Sequence, residues 1–153
     1  LSLTSCEKDE SSTNPIIGEW RMTETHTDNG VAIYDVLGQD EILNFSYQGT
    51  DYNATTTFTE NPNEFTSSGY YKYEYISSFM GETDTMILQA DSFLGVGQWS
   101  IEGDTLFQTF SGANTKNVIL ELTNSIMRFR TDVNTAASGV PTTATVFTTF
   151  EKN

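Results

Sequence analysis

The residues that could do covalent or metal chemistry are few in this chain. Its 153 residues include one cysteine, Cys6, and one histidine, His26. A hydrolase triad needs a histidine base beside a serine or cysteine nucleophile. His26 lies in Thr25-His26-Thr27-Asp28, and the chain has no Gly-x-Ser-x-Gly elbow. This inventory also supports no disulfide framework and no zinc site. We therefore expect no catalytic residue, no metal and no cofactor, and we interpret His26 as an exposed polar side chain.

The acidic residues are the larger group, but they single out no site. Glycoside cleavage needs two facing carboxyl groups, and none of the 21 acids stands in a distinguishing setting. Asp28-Asn29 and Asp91-Ser92 offer oxygens to calcium, yet neither matches an EF-hand loop. Only 7 residues are Lys or Arg, so the net charge is −14. Such a surface repels phosphate backbones and anionic headgroups, which predicts that the protein binds no nucleic acid. Because no catalytic set of residues stands out, we also expect that the protein is not an enzyme.

Cys6 has the most informative surroundings. Leu3-Thr4-Ser5-Cys6 resembles a bacterial lipobox, in which an aliphatic residue and two small residues precede a cysteine. The resemblance implies that residues 1–5 are the remnant of a signal peptide and that Cys6 carries a lipid anchor. Each buried CH₂ of such a lipid contributes about 0.8 kcal/mol, so several acyl chains anchor a protein durably. The alternative is an incidental buried cysteine.

Residues 6–15 are charged and rich in serine, which predicts a flexible tether between the anchor and a folded domain. Lys8-Asp9-Glu10 resembles the acidic export signal of surface lipoproteins of Bacteroidetes; the alternative is an ordinary solvated linker. No stretch approaches the length of a spanning helix. We expect an outer-membrane lipoprotein of the bacterial cell envelope, displayed at the surface if the export signal holds and attached to the membrane only through its lipid.

From Ile16 onward, apolar and aromatic residues alternate with polar ones in runs typical of β-strands. The run Phe65–Ile76 is the most aromatic, and Gly103-Asp104 joins two alternating runs as a tight hairpin would. Asp28-Asn29-Gly30 predicts a turn, while residues 41–45 fit either a strand or a helical turn. The pattern predicts one all-β domain over residues 16–153, a monomeric antiparallel up-and-down β-barrel of about eight to ten strands.

A family resemblance accompanies this pattern. Gly18-Glu19-Trp20 resembles the Gly-x-Trp motif of lipocalins. Residues 40–45 with Gly49-Thr50, residues 97–106, and residues 118–123 with 127–130 resemble lipocalin-like lipoproteins of Bacteroidetes. The chain departs from secreted lipocalins because it has no further clear signature motif and no disulfide pair. The resemblance implies that Gly18 and Trp20 mark the closed end of the barrel, where an arginine of a late strand packs on Trp20. We expect that arginine to be Arg128, with Arg130 as the alternative.

The predicted interior wall consists of residues at inward positions of the middle strands: Phe58, Tyr71, Tyr73, Met86, Leu88 and Trp99. Such a wall suits a small hydrophobic or amphipathic ligand. The alternative is that these side chains fill the barrel, which then serves as a surface or periplasmic interaction module that binds a protein or glycan through its loops. An apolar cavity of roughly 300 Å³ or more would favour the first hypothesis, and a packed interior the second.

Overall fold

The chain folds into nine β-strands in a computed structural model, which describes residues 14–91, 95–136 and 139–153. Cys6 and most of the predicted tether lie outside the described residues. The strands are β1 (Gly18–Val36), β2 (Gln39–Thr59), β3 (Glu64–Phe79), β4 (Glu82–Asp91), β5 (Val96–Glu102), β6 (Thr105–Phe110), β7 (Ala113–Leu122), β8 (Ile126–Thr135) and β9 (Thr142–Lys152).

The strands form one antiparallel sheet that closes on itself. The order is β2-β1-β9-β8-β7-β6-β5-β3-β4, and an additional pairing of β2 with β3 completes a ring of eight strands. Closure removes the free edges that a sheet of this length would otherwise expose. The predicted all-β, antiparallel up-and-down barrel is confirmed, while β4 stands outside the ring because it pairs only with β3.

One edge of β3 pairs with β2 throughout, while its other edge pairs with two different strands. Residues 64–66 pair with β5 inside the ring, whereas residues 70–79 pair with β4. Gly69 lies at the change with a φ of +85°, and a Cβ there would stand 1.8 Å from the carbonyl oxygen of Asn53. Only glycine combines this left-handed conformation with so close a backbone approach. Gly69 therefore lets β3 leave the ring and continue as a protruding hairpin with β4.

The core fills one end of the barrel, where the described chain also begins and ends. Trp20, Phe58, Phe65, Leu106 and Met127 are at most 1% exposed and belong to one hydrophobic cluster. These residues lie near the strand ends that are joined by the turns at residues 60–63, 103–104 and 123–125. We call this end the closed end. Burying several large side chains at about 1.5–3 kcal/mol each makes it the main source of stability.

The opposite end carries the turns of the β1–β2, β3–β4, β6–β7 and β8–β9 hairpins. Leu37-Gly38 and Met80-Gly81 form the first two of these turns, and Leu37 and Met80 both adopt positive φ. We call this end the open end.

Candidate functional site

A cavity of about 150 Å³ lies inside the barrel, directly above the packed core. Of the described residues that line it, none carries a charge. One wall comes from β1, β2 and β3 and consists of Met22, Thr25, Tyr47, Thr56, Phe58 and Tyr71. The opposite wall comes from β6, β7, β8 and β9 and consists of Gln108, Thr115, Asn117, Phe129, Thr131, Val146, Thr148 and Phe150. This volume is half of the roughly 300 Å³ that would favour an interior ligand site. The interior is nevertheless not completely filled by side chains.

A surface of aromatic rings continues from the cavity towards the open end. Register places Tyr47 opposite Tyr75 and Tyr73 opposite Gly49, so these rings share the inner face of β2 and β3. The ring centroids of Tyr47 and Tyr73 are 5.3 Å apart, those of Tyr71 and Tyr73 5.8 Å, and those of Phe45 and Tyr75 5.6 Å. These distances are those of favourable aromatic pairs. We call Phe45, Tyr47, Tyr71, Tyr73 and Tyr75 the aromatic face. Tyr47 and Tyr71 also line the cavity.

The opposite wall of the cavity is polar and internally hydrogen-bonded. Thr131 Oγ1 donates to Asn117 Oδ1 at 2.5 Å, and Asn117 Nδ2 donates to Gln108 Oε1 at 2.9 Å. Gln108 and Asn117 are buried, so these bonds hold both amides in fixed orientations. The chain of bonds ends at Gln108, whose amide nitrogen has no acceptor among the described residues. It is therefore a directed donor for a group placed in the cavity.

The tyrosines beside the cavity keep their protons. Burial raises the pKa of Tyr71 well above its ordinary value, and the neighbouring Tyr47 and Tyr73 hydroxyls raise it further. Burial raises the pKa of Tyr47 too, outweighing a hydrogen bond with Thr25 that lowers it. Both groups are neutral at physiological pH because loss of water penalises the phenolate. The part of the site that the structure describes is thus largely apolar and uncharged, and its polar groups are hydroxyls and amides.

Trp20 lies at the closed end, as the Gly-x-Trp resemblance implies, but its cationic neighbour is not the expected one. Lys152 Nζ lies 5.0 Å from the Trp20 ring centroid, and the indole Nε1 donates to Ile16 O at 2.7 Å. Arg128 points outward and pairs with Glu121 at 2.7 Å. The prediction of Arg128 is therefore wrong, because Arg128 alternates with the buried Met127 and Phe129 and so faces solvent.

The structure shows why the Gly-x-Trp motif has a glycine at position 18. Its φ is +125°, and a Cβ at this position would come 2.8 Å from Lys152 Cε. The missing side chain leaves the space through which Lys152 reaches the Trp20 ring. The glycine and the tryptophan thus serve one contact, between the first strand of the barrel and the last.

The predicted wall residues divide into four groups, the last of which is Met86 and Leu88. Phe58 and Tyr71 line the cavity, and Tyr73 belongs to the aromatic face. Trp99 does not line the cavity: it lies in the closed-end core, where its ring meets Phe58 edge-on and Nε1 donates to Thr59 O at 2.8 Å. The prediction that Trp99 forms part of a ligand wall is therefore not supported by its position.

Met86 and Leu88 are the clearest correction to the predicted wall. Register with Tyr75 and Tyr73 places both on the face that continues the aromatic face, as the alternation predicted. They nevertheless remain 43% and 36% exposed, because β4 stands outside the ring and no strand of the described chain lies opposite it. They do not wall an interior.

His26 is another correction, since its side chain is 25% exposed rather than free in solvent. Its ring stacks on Phe147 on the outer face, away from the cavity, and Nδ1 lies 3.3 Å from Glu24 Oε1. Within the ranges that the structure describes, no group of three or more His, Cys, Asp or Glu side chains is placed to hold a metal ion. The same residues contain no helix long and apolar enough to cross a membrane.

Sequence reasoning missed Tyr47, Gln108, Asn117 and Lys152. Gln108 could have been predicted, because it lies two residues after the apolar Leu106 in β6 and its side chain therefore points to the same, inner face. Lys152 likewise shares parity with Phe150. Its contact with Trp20 depends on pairing between the two ends of the described chain, which local pattern does not reveal.

A closed antiparallel barrel with an uncharged internal cavity defines a class of small β-barrel domains. The family model for the lipocalin-like domain matches residues 16–129, and the chain belongs to that family. A comparison with curated proteins found no match. Among solved structures, an S-type phycobiliprotein lyase from Guillardia theta is similar at 12% identity and a TM-score of 0.36, over 91% of this chain and 89% of that one. The lipocalin resemblance is confirmed; the lipoprotein features remain predictions.

Proposed function

We propose that this domain binds a small, flat and largely apolar ligand, which lies on the aromatic face and inserts one end into the cavity. The observation that supports this most directly is the arrangement of Tyr47, Tyr71 and Tyr73, whose neighbouring rings lead into an uncharged cavity. The enclosed volume is small, so most of the ligand lies outside it, against the rings. We propose no catalysis, because the described residues of the cavity lining offer hydroxyl and amide groups but no general base.

The lining defines the chemistry of the ligand. The buried end is uncharged, because the described lining has no ion to pair with a buried charge. It carries a hydrogen-bond acceptor such as a carbonyl, which the amide nitrogen of Gln108 meets. The outer part is planar, because stacking between flat rings contributes about 0.5–1.5 kcal/mol per pair. The net charge of −14 further disfavours strongly anionic ligands.

Calorimetric titration of the full chain with 2-acetylnaphthalene tests the aromatic part of this proposal. We expect Tyr73→Ala to weaken binding about tenfold, the equivalent of one aromatic contact. Tyr70→Ala is the matched control, because Tyr70 lies opposite Asn53 on the outer face of the same strand. No binding of any planar neutral probe, or equal weakening by the two substitutions, would refute the proposal.

The polar part is tested by comparing 2-acetylnaphthalene with 2-ethylnaphthalene, which has the same shape but no carbonyl. Gln108→Leu should weaken binding of the ketone about five- to tenfold, the value of one buried hydrogen bond, and leave the hydrocarbon unchanged or bound more tightly. Equal effects on both probes would remove Gln108 from the site and leave the aromatic part standing. Native mass spectrometry of protein purified from its own host then identifies the natural ligand.

The lipobox leads us to propose that Cys6 attaches this domain by lipid to the cell envelope, as an outer-membrane lipoprotein. The support is the sequence around the cysteine and the polar residues that follow it. Cys6→Ala should move the protein from the membrane fraction to the soluble fraction, with Ser5→Ala as the control that keeps the thiol. Unchanged fractionation of Cys6→Ala would contradict the anchor without affecting the ligand proposal. Protease treatment of intact cells then tests surface display.

A further inference from the structure

The edge of β4 is the feature of this barrel that the ligand site does not use. β4 is the last strand of the sheet order, and among the described residues only β3 pairs with it. Nine of its ten residues are exposed, including Ile87 at 59%. Exposed edge strands invite pairing with another chain, and proteins commonly blunt them with charges or proline, or by shortening, bulging or covering the strand. β4 carries only acidic charges, which oppose pairing with an acidic strand but not with a basic one. β4 shows an unbroken register with β3 over its whole length.

The hairpin geometry shows which backbone groups of β4 are free. Phe79 and Glu82 flank the two-residue turn and form the first pair of the hairpin. The residues that flank such a turn exchange hydrogen bonds, and bonded and non-bonded pairs then alternate. Ser78 and Thr83 accordingly form a non-bonded pair, and their hydroxyls meet at 2.9 Å. The N–H and C=O groups of Thr83, Thr85, Ile87 and Gln89 therefore point away from β3, towards the open edge.

The charge around this edge is predominantly negative. Residues 70–91 contain four acidic residues and one basic residue, Lys72, which lies opposite Gln89 of β4 and pairs with Asp51 at 3.4 Å. The neighbouring β1–β2 hairpin, residues 30–48, contains three acidic residues and no Lys or Arg. Apolar side chains lie among these acids, with Met80 at 64% and Ile87 at 59% exposure. The edge thus combines unpaired backbone groups, apolar side chains and a negative field, which together select an extended segment of positive charge.

We propose that the β4 edge binds a lysine- or arginine-rich extended segment of another protein, which adds to the sheet as a further strand. A second copy of this chain is a poorer occupant. Each copy carries a net charge of −14, and pairing of two β4 strands would bring Glu82, Asp84 and Asp91 of both copies together. A lipid surface with anionic headgroups is disfavoured by the same charges. The added strand would lie beside Met86 and Leu88, whose exposure it would reduce.

Fluorescence anisotropy of a labelled peptide tests this proposal on the full chain. The probe is a peptide of about ten residues that alternates Lys with Val and Thr, long enough to span β4. Matched peptides carry Glu in place of Lys, or Pro at alternate positions with the Lys residues kept. We expect the first peptide to bind, the other two to bind at least about tenfold more weakly, and binding to weaken as salt rises.

Two variants separate strand addition from general electrostatic attraction. Ile87→Pro removes an outward N–H without changing charge, and proline is tolerated at edges whose N–H faces solvent. It should weaken binding of the lysine peptide about tenfold, while Ile87→Val should not change it. Exchanging Glu82 and Asp84 for Lys should reverse the preference between the lysine and glutamate peptides. The second variant keeps the proposal testable if proline disturbs the hairpin.

Hydrogen exchange provides the direct readout. Peptide addition should slow exchange at the outward amides of Thr85 and Ile87 and leave the inward amides of Met86 and Leu88 unchanged. Equal binding of the lysine peptide and its proline-substituted version, or of wild type and a folded Ile87→Pro variant, would overturn the proposal. A dimer of the chain alone that Ile87→Pro dissociates would overturn it as well, because a second copy would then occupy the edge.

Discussion

Replacing Lys152 by Met tests how the closed end of the barrel is held. The ammonium group lies 5.0 Å from the Trp20 ring centroid and donates to Pro15 O at 3.0 Å. A cation–π contact contributes about 0.5–2 kcal/mol, and a hydrogen bond from a charged donor about 1.5–3 kcal/mol. Desolvation of the ammonium offsets part of both terms, and Met keeps the apolar stem. We therefore expect the free energy of unfolding to fall by about 2 kcal/mol.

Thermal and urea unfolding, followed by tryptophan fluorescence, measure this loss. For a chain of this size about 2 kcal/mol corresponds to a Tm lower by about 4–8 °C. A double-mutant cycle with Trp20→Leu should give a coupling of about 0.5–1 kcal/mol between Trp20 and Lys152. Arg128→Met is the matched control, since its exposed pair with Glu121 contributes about 0–1 kcal/mol and no coupling to Trp20. An unchanged Lys152→Met variant, or an equal coupling for Arg128, would refute the reasoning.

Two further predictions concern pH and backbone conformation. Because burial raises the pKa of Tyr47 and Tyr71 in the folded state, the stability that these groups contribute is complete below the ordinary tyrosine pKa of about 10 and is lost as pH rises above it. Urea unfolding across alkaline pH, with tyrosinate absorbance, should show a falling midpoint and late titration; a pH-independent midpoint would contradict this. Gly69→Ala should cost more than about 2 kcal/mol, since its Cβ meets a backbone oxygen. Gly38→Ala, with similar φ and open space, should cost only about 1 kcal/mol; equal losses would argue against the clash.

The alternation of side chains predicted most of the fold because a strand reveals its two faces locally. The hairpin at Gly103-Asp104 is present, with Glu102 opposite Thr105. The turn predicted at Asp28-Asn29-Gly30 is instead an irregularity within β1, where register with β2 shifts between Thr27 and Gly30. A turn-forming sequence can bend a strand as well as end it, and local composition does not distinguish the two outcomes.

The candidate site was less accessible to sequence reasoning. Parity placed Met86 and Leu88 on the correct face, but parity does not say whether another strand covers that face. The alternation of side chains did indicate that Arg128 does not pack on Trp20, because Arg128 lies between the inward-facing Met127 and Phe129 and so faces solvent. The contact of Lys152 with Trp20 could not be inferred, since it depends on the register between β1 and β9. Pairings between distant segments are set by the closure of the whole sheet and leave no local signature.

The meeting of β1 and β9 has a consequence for engineering this domain. Trp20 lies opposite Lys152, and the backbone N–H of Asn153 donates to Glu19 O at 3.0 Å. A short linker from Asn153 to Asn14 would therefore allow the chain to be reopened elsewhere without the loss of any strand pairing. Opening it at the exposed turn Ser111-Gly112 would place the new termini beside the open end. A fluorescent protein inserted there would sit at the cavity entrance and could convert ligand binding into an optical signal.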